Sequence, residues 1–369
     1  MREINNSRHI RIAPVRPAPF LGAGKCLYYG SGREAVLSVA RAIGEGPSNS
    51  VLLPAYVPEG LIEPFKLLGW TLVLYKIDRN LDPEWEDLGS LLSEFHPKLA
   101  ILIHYFGLQK DITRFVAAAH ETDSLVIEDL AHVLPADGCQ AGITGDLILY
   151  SPPKLFGVID GGILLCRRPI EGLNSIKPFP DFLRGIYLAQ QLGILAVSET
   201  CSLLPAGLPT RLAQGFARVF FNSYPSLMGY FKRPHRMSSL SMALLARADW
   251  NRWATVRREH AQRYASGLNK AVFHSFTGPL IGKAGPYGYP VLVANRDSLA
   301  RFLKKRGIAV GVLNTHWDFI PAAERDKHLE AVYILDRHVI FPVSQDLSDE
   351  EVQLVVSAAN EWANEQQSG

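Results

Sequence analysis

Cysteine is scarce in this sequence, which contains only four such residues among 369. They are Cys26, Cys139, Cys166 and Cys201. No two of them form a Cys-x-x-Cys pair, so a disulfide framework and a structural zinc site are both disfavoured. We therefore expect reduced, mostly buried thiols and no bound metal.

Blocks of like charge and long apolar runs are also missing. The 38 Lys and Arg residues nearly balance the 36 Asp and Glu residues, for a net charge of +2, and no Lys/Arg block suggests a nucleic-acid partner. No window reaches the roughly 18 uninterrupted apolar residues of a membrane-spanning helix. No apolar run follows Met1 and Arg2, so a secretory signal is not indicated. These absences predict a cytoplasmic protein without a membrane span.

Two phosphate-binding motifs are absent, and one hydrolase motif is incomplete. The sequence has no Gly-x-Gly-x-x-Gly and no Gly-Lys-Ser/Thr, so neither a dinucleotide-binding fold nor a P-loop is supported. Ser151 and Lys154 do match the Ser-x-x-Lys pattern of penicillin-binding proteins. That pattern needs a helix start, whereas Pro153 biases Pro152 away from helical geometry, and neither Ser-Asp-Asn nor Lys-Thr-Gly occurs elsewhere. The hydrolase interpretation is therefore disfavoured.

What the sequence does contain is an alternation of apolar runs and helical patterns. The strand-like runs lie at 51–54, 71–75, 99–104 and 125–127. The helical patterns between them include 59–68 and 112–120. Strand, crossover helix and strand at this spacing are typical of a three-layer α/β fold with a mostly parallel sheet.

The length of 369 residues favours two domains. We assign residues 1–235 to a large domain and residues 236–369 to a small carboxyl-terminal α+β domain. Residues 168–233 are rich in aromatic residues, leucine and proline, and they are interpreted as a helical insertion in the large domain. One long helix is predicted from residue 237 to residue 268, with Arg257 and Arg258 on its polar face.

Polar residues collect where the predicted strands end. They are His104 and Tyr105 after one strand, Asp129 and His132 after a second, and Ser151 and Lys154 after a third. The carboxyl ends of parallel strands meet at the edge of a sheet where ligands bind, so we expect these side chains to lie close together. Ser31, Gly32 and Arg33 precede a predicted helix that Gly44 would end. The amides of such a helix start can hold a phosphate.

Asp129 and Lys154 together indicate a pyridoxal-phosphate site. In such sites a lysine forms a Schiff base with the cofactor, and a carboxylate holds the pyridine nitrogen protonated. The lysine must be partly desolvated to act as nucleophile and base, and Pro152 and Pro153 help to supply a stiff, apolar setting. Each residue alone has an ordinary alternative. Asp129 could cap a helix or form an ion pair, Lys154 could be a solvated loop residue, and His132 could be a core histidine.

Six segments of the chain carry motifs that occur together in one enzyme family. They are Ser31-Gly32-Arg33-Glu34-Ala35, Pro54-Ala55-Tyr56, His104-Tyr105-Phe106-Gly107, Ile127-Glu128-Asp129-Leu130-Ala131-His132, Ser151 to Lys154 with Asp160-Gly161-Gly162, and Arg236-Met237-Ser238. In this order they resemble the motifs of the DegT/DnrJ/EryC1/StrS family of pyridoxal-phosphate aminotransferases. The resemblance extends over about residues 28 to 360.

The resemblance implies a fold-type-I enzyme and a role for each matched residue. Lys154 would carry the cofactor, Asp129 would meet the pyridine nitrogen, and His132 would lie beside the ring. The resemblance also implies cofactor contacts for Ser31, Gly32, Arg33, Tyr56 and Ser151, and substrate contacts for His104, Tyr105 and Arg236.

The chain also departs from the family's motifs. Pro58 stands where many relatives have an aromatic residue over the ring, which leaves Tyr56 or His132 to stack there. Pro234 replaces an asparagine that in relatives reaches the phosphate in the partner subunit. The interval from Ser151 to Lys154 is shorter than usual. These departures affect the predicted substrate more than the predicted cofactor.

The sequence and the resemblance together predict a homodimeric aminotransferase with its sites at the subunit interface. The expected donor is glutamate, and the expected acceptor is the keto group of a nucleotide-linked sugar in polysaccharide or glycosylated-metabolite biosynthesis. Some family members are dehydratases in which histidine replaces the lysine, so Lys154 favours transamination. Two alternatives stay open. One is a pyridoxal-phosphate enzyme with another acceptor or outcome, and the other is a catalytically idle scaffold or sensor.

Overall fold

The computed structural model describes residue 4 and residues 25–137, 144–173, 234–312 and 317–368. The helical insertion predicted for 168–233 lies outside these residues, apart from 168–173. The described part of the chain forms a seven-stranded sheet, a three-stranded sheet and a two-stranded sheet, together with helices.

The seven-stranded sheet is mostly parallel, as the apolar runs predict. The strands of all three sheets are β1 (Lys25–Tyr29), β2 (Ser50–Pro54), β3 (Thr71–Tyr75), β4 (Leu99–Ile103), β5 (Leu125–Asp129), β6 (Val133–Leu134), β7 (Leu147–Tyr150), β8 (Gly162–Cys166), β9 (His274–Ser275), β10 (Gly285–Pro286), β11 (Tyr289–Leu292) and β12 (His338–Phe341). The sheet order is β1-β8-β7-β5-β4-β2-β3. The neighbours among β3, β2, β4, β5 and β7 pair in parallel. At the other edge of the sheet, β8 pairs antiparallel with both β7 and β1. The predicted α/β fold class is confirmed.

The helices begin and end close to the sequence signals. They are α1 (Gly32–Ile43), α2 (Glu59–Leu67), α3 (Trp85–Phe95), α4 (Ile112–His120), α5 (Ser239–Leu245), α6 (Trp250–Gly267), α7 (Arg296–Lys305), α8 (Leu329–Arg337) and α9 (Asp349–Ser368). Ser31 caps α1, and Gly44, with a φ of 143°, ends it. Among the helices of the described residues, none combines the length and hydropathy that a transmembrane span requires.

The prediction of one long helix from residue 237 to residue 268 is wrong. Two helices, α5 and α6, occupy this stretch, and residues 246–249 separate them. The reason is a new helix start, because the Asp249 side chain accepts a hydrogen bond from the Arg252 amide. The predicted exposure of Arg257 is also wrong, since this residue is completely buried.

Three clusters of buried apolar side chains stabilise the fold. One surrounds the seven-stranded sheet, and a second joins α6, α7 and α9 to β11 and β12. The third packs Leu155 and Phe156 against Trp250 and Trp253 of α6. This third cluster contains residues from both sides of residue 235, and the division into domains at 235/236 stays a prediction.

Candidate active site

The carboxyl ends of β5 and β7 lie side by side and bring Asp129, His132 and Lys154 to one place. The two strands pair in parallel, with Asp129 opposite Leu149. Asp129 ends β5, and Lys154 lies in the 3₁₀ turn Pro152–Lys154 that follows β7. The Lys154 Nζ atom lies 3.4 Å from His132 Nε2. Three of the predicted site residues therefore share one edge of the sheet.

Asp129 is a buried carboxylic acid with a cation nearby. The residue is 3% exposed, and its Oδ1 accepts a hydrogen bond from the Ala131 amide at 2.7 Å. Burial raises the pKa of Asp129 from its ordinary value of 3.8, while Lys154, the Ala131 amide and His104 act in the opposite direction. The charged form is therefore stabilised further by any additional cation or hydrogen-bond donor placed beside it.

His132 is a buried, neutral histidine that packs among aromatic rings. Burial and the charge of Lys154 hold the pKa of His132 well below its ordinary value of 6.5. The Tyr287 ring stacks on it at a centroid distance of 4.6 Å, and the Phe106 and Trp317 rings lie at 5.3 and 5.6 Å. Its Nδ1 accepts a hydrogen bond from the Phe106 amide. The other ring nitrogen, Nε2, faces Lys154.

Tyr56 and Tyr105 belong to a buried aromatic cluster that also contains Trp317. The Tyr56 ring lies 4.7 Å from the Trp317 ring and 5.5 Å from the Tyr105 ring. The Tyr105 hydroxyl donates a hydrogen bond to the Tyr56 carbonyl. The Tyr56 hydroxyl has no hydrogen-bond partner among the described residues. Since Trp317 also packs near His132, this cluster extends to the Lys154 site.

Ser31, Gly32 and Ser151 meet at the start of α1. The Ser31 hydroxyl accepts a hydrogen bond from the Glu34 amide at 3.2 Å, which is the usual bond of an N-cap. A Cβ atom placed on Gly32 would lie 3.9 Å from the Cβ of Ser151. A helix start offers amides without intrahelical acceptors and a positive dipole end, so it attracts anions. The structure thus brings Ser151 next to a favourable place for a phosphate.

His104 is buried and forms bonds within the sheet region. Its Nε2 lies 3.2 Å from Glu128 Oε1, and its Nδ1 accepts a hydrogen bond from the Lys110 amide at 3.1 Å. Successive residues of a strand point to opposite faces of the sheet, so Glu128 and Asp129 diverge. His104 accompanies Glu128 on the face opposite Asp129, and the predicted substrate contact for His104 stays a prediction.

Of the two arginines predicted for the site, one forms an ion pair and the other is exposed. The Arg33 guanidinium forms an ion pair of 2.6 Å with Glu63. Arg236 pairs through its backbone with Tyr29 at the end of β1, and its side chain is exposed. Their predicted contacts with ligands stay predictions.

The sequence patterns do not identify Phe106, Tyr287 or Trp317, although all three rings pack around His132. Tyr287 and Trp317 come much later in the chain, and no motif of the site includes them. Phe106 carries a weak signal because it stands between two matched residues, Tyr105 and Gly107. Its φ of 55° is a left-handed conformation, which is uncommon for a bulky side chain and is tolerated where the surrounding structure imposes it.

A family model matches most of the chain. The model of the DegT/DnrJ/EryC1/StrS aminotransferase family aligns with residues 16–171 and 213–360. The matched ranges contain every residue of the Asp129, His132 and Lys154 site.

Similar proteins include one regulatory protein and several aminotransferases. The pleiotropic regulatory protein of Geobacillus stearothermophilus is 24% identical over 350 residues, which cover 90% of this chain and 83% of that protein. The UDP-N-acetyl-3-dehydro-alpha-D-glucosamine 3-aminotransferase of Acidithiobacillus ferrooxidans is 28% identical over 39% of this chain and 42% of its own length. The UDP-2-acetamido-2-deoxy-3-oxo-D-glucuronate aminotransferase of Pseudomonas aeruginosa is 32% identical over 31% of this chain and 32% of its own length. The chain thus aligns with less than half of each of these two aminotransferases.

Solved structures of aminotransferases share the fold. The aminotransferase TlmJ from Streptoalloteichus hindustanus has a TM-score of 0.67 at 20% identity, and the match covers 95% of this chain and 88% of that one. A DegT DnrJ EryC1 StrS aminotransferase from Brucella abortus has a TM-score of 0.66 at 17% identity, with 93% and 87% covered. The sugar aminotransferase CalS13 from Micromonospora echinospora has a TM-score of 0.61 at 17% identity, with 91% and 87% covered.

Proposed function

The chain belongs to the DegT/DnrJ/EryC1/StrS aminotransferase family, and from that membership we propose that it transfers an amino group from an amino-acid donor to a keto group with the help of pyridoxal phosphate. The aminotransferases of this family depend on that cofactor. The observation that carries the proposal is the meeting of Asp129, His132 and Lys154 at the carboxyl ends of two neighbouring parallel strands.

The described residues fit pyridoxal phosphate at both of its ends. The ring nitrogen needs a carboxylate, and Asp129 is buried with the Ala131 amide on its Oδ1. The phosphate needs hydrogen-bond donors, and the start of α1 lies beside Ser151, where Gly32 has no side chain to cover the backbone. The aromatic cluster of Tyr56, Tyr105 and Trp317 borders His132 through the Trp317 ring.

Each residue of the site then has a physical task. When bound, the cofactor supplies an electron sink for the charge that develops at the substrate carbon. Asp129 holds the proton on the ring nitrogen, and Lys154 Nζ carries a proton to and from the reacting carbon. His132 stays neutral and orients the Lys154 amine through Nε2 without adding a positive charge. The Tyr287 and Trp317 rings pack around His132 and keep water from that side.

We assign the acceptor to nucleotide-linked keto sugars and the donor to glutamate. Two relatives support the choice of acceptor, since their names describe aminotransferases that act on UDP-linked oxo sugars. The product would then be an amino sugar for a polysaccharide or a glycosylated metabolite.

The two half-reactions test the proposal by absorbance. Glutamate should bleach the visible band of the protein loaded with pyridoxal phosphate, and a nucleotide-linked keto sugar should restore it. Lys154→Ala should abolish both changes. Lys98→Ala is the matched control, since this lysine is exposed, and it should leave both changes intact. A protein that takes up no cofactor, or whose band responds to no amino donor, would contradict the activity.

A regulatory role is the second candidate, and one comparison favours it. The relative that aligns with 90% of the chain is a pleiotropic regulatory protein. In this case the Asp129–Lys154 site would bind the cofactor as a scaffold or sensor without turnover. A visible band that no donor or acceptor changes, together with a rise in melting temperature on cofactor binding, would support this role over transamination.

A further inference from the structure

One face of α6 packs on the residues that follow Lys154. Trp250, Trp253 and Arg257 are three and four residues apart, so they share one face of the helix. The Trp250 and Trp253 rings lie 4.5 and 5.4 Å from the ring of Phe156. This face contributes no group to the site described above, but it supports the turn that carries the lysine.

Arg257 is completely buried, and its guanidinium donates to acceptors in three separate segments. Nε donates to Gln345 Oε1 at 2.8 Å. Nη1 donates to the Pro286 and Tyr287 carbonyls at 3.1 and 3.3 Å, and Nη2 donates to the Leu155 carbonyl at 3.1 Å. A buried guanidinium is costly to desolvate unless its donors are bonded. These bonds therefore fix where the three segments lie relative to one another.

Two of the segments held by Arg257 lie on either side of the contact between Lys154 and His132. Leu155 directly follows Lys154. Tyr287 stacks its ring on His132 at 4.6 Å and donates its amide to the His132 carbonyl at 3.1 Å. The same guanidinium therefore determines the position of the lysine turn and of the ring that supports the histidine.

We propose that Arg257 is a positioning residue, which sets the placement of Lys154 relative to His132 without touching substrate or cofactor. The inference rests on the aminotransferase function proposed above. Arginine suits this task because its planar fork reaches several acceptors at once, whereas lysine offers a point charge. A displacement of about 1 Å in a site can cost roughly 100-fold in rate. The effect of losing Arg257 therefore falls on kcat.

Three variants test the assignment by steady-state kinetics. Arg257→Met keeps the apolar bulk, Arg257→Lys keeps the charge, and Arg258→Met is the matched control, because Arg258 bonds instead to the Lys283 carbonyl and the Thr255 hydroxyl. In Arg257→Met we expect kcat to fall roughly 100-fold, with the KM for the donor within about twofold of wild type. Arg257→Lys should recover part of that loss, and Arg258→Met should match wild type.

Hydrogen exchange provides a second readout that needs neither cofactor nor activity. The amides of Leu155 and Phe156 donate to the Pro152 carbonyl, and the Tyr287 amide donates to the His132 carbonyl. We expect them to exchange about tenfold faster or more in Arg257→Met than in wild type. Peptides outside these two segments, the Gln345 segment and α6 should exchange as in wild type, and Arg258→Met should show no change in either set.

The kinetic and exchange results together distinguish a positioning role of Arg257 from a general role in stability. A folded Arg257→Met protein with wild-type kcat and wild-type exchange at these amides would overturn the proposal. Faster exchange in every peptide would also overturn it, since that indicates a general loss of stability. If Arg257→Met does not fold, Arg257→Lys decides on the same two readouts. Failure of the proposed function looks different, because the wild-type protein itself would then show no transamination while the exchange result still reports on Arg257.

Discussion

Asp129, the proposed partner of the ring nitrogen of the cofactor, opposes the stability of the fold that holds it. Burial raises its pKa, and the charge of Lys154 offsets only part of that shift. In the cofactor-free protein the carboxylate at neutral pH therefore costs free energy. A protonated ring nitrogen beside it would remove much of this cost, which links the affinity for the cofactor to the charge of Asp129.

Replacing this acid with its neutral isostere should therefore stabilise the cofactor-free protein and impair catalysis. The folded-state pKa of Asp129 lies above the unfolded value of 3.8, so the charged group lowers stability at neutral pH and does so less as the pH falls toward 3.8. Asp129→Asn should melt above wild type at about pH 7, and the gap should narrow on acidification. Its kcat should drop on the order of 10²- to 10³-fold.

The matched control is Asp123→Asn, an exposed residue with a φ of 57°, which asparagine tolerates as well. It should change neither kcat nor the difference in melting temperature between neutral and acidic pH. An Asp129→Asn protein that melts below wild type at neutral pH and keeps its activity would contradict the role assigned to the carboxylate.

His132 should make stability depend on pH in the opposite sense. Its folded-state pKa lies well below the unfolded value of 6.5, so the unfolded chain binds a proton that the folded chain excludes. The stability from this group is complete above 6.5 and is lost as the pH falls below it. His132→Phe, which keeps a ring against Tyr287, should reduce the loss of unfolding free energy between about pH 7 and about pH 5. If wild type and His132→Phe lose the same unfolding free energy between these pH values in urea titrations, the neutral state of His132 is refuted.

Among the elements, β10 determines how closely the carboxyl-terminal residues approach the site. It pairs with β6 directly after His132, and it lies against α6. A Cβ placed on Gly285 would come within 2.8 Å of Ala254 Cα. Ala254 Cα is a backbone atom, so a change of side-chain rotamer cannot relieve the contact. Gly285 is therefore required for β10 to lie between α6 and β6, and this placement sets where Tyr287 meets His132.

Gly285→Ala should separate β10 from α6. We expect a loss of about 1–3 kcal/mol in the free energy of unfolding, measured by urea denaturation, and a lower kcat because Tyr287 moves with the strand. Gly89→Ala is the matched control within α3, where a Cβ would meet nothing within 4 Å. That change should stabilise the protein by about 0.5–1 kcal/mol. Equal stability of Gly285→Ala and wild type would show that the close contact is not a constraint.

The sequence predicts those helices and strands whose bounds depend on local patterns. Apolar runs mark β2 to β5, and the Ser31 and Gly44 signals bound α1 within one residue. The break between α5 and α6 escapes the sequence because helical spacing continues across it. Arg257 escapes it too, because arginine is usually exposed and its burial depends on acceptors that are distant in sequence.

In the candidate site too, residues placed by local patterns are predictable from the sequence. Asp129, His132 and Lys154 follow strands whose parallel pairing brings their ends together, so a local pattern and one topological rule suffice. Tyr287 and Trp317 reach the site through packing between distant parts of the chain. No local pattern encodes such packing.

For the whole molecule, we propose a cytoplasmic homodimer whose large and small domains divide at 235/236. The second hydrophobic cluster supports the division, because apart from Ile4 its buried members come from residue 261 onward. Light scattering after size exclusion should give twice the chain mass of 40.8 kDa. Activity per chain should fall on dilution if the sites need both subunits. A fully active protein with the mass of one chain would contradict the dimer.

The most direct test of the central claim is to find which residue the cofactor binds. Borohydride reduction of the protein incubated with pyridoxal phosphate should fix the cofactor covalently, and peptide mass mapping should locate it on Lys154. The added mass should appear on that lysine alone, and on no peptide of Lys154→Ala. Attachment at another lysine, or no attachment to the wild-type protein, would contradict it.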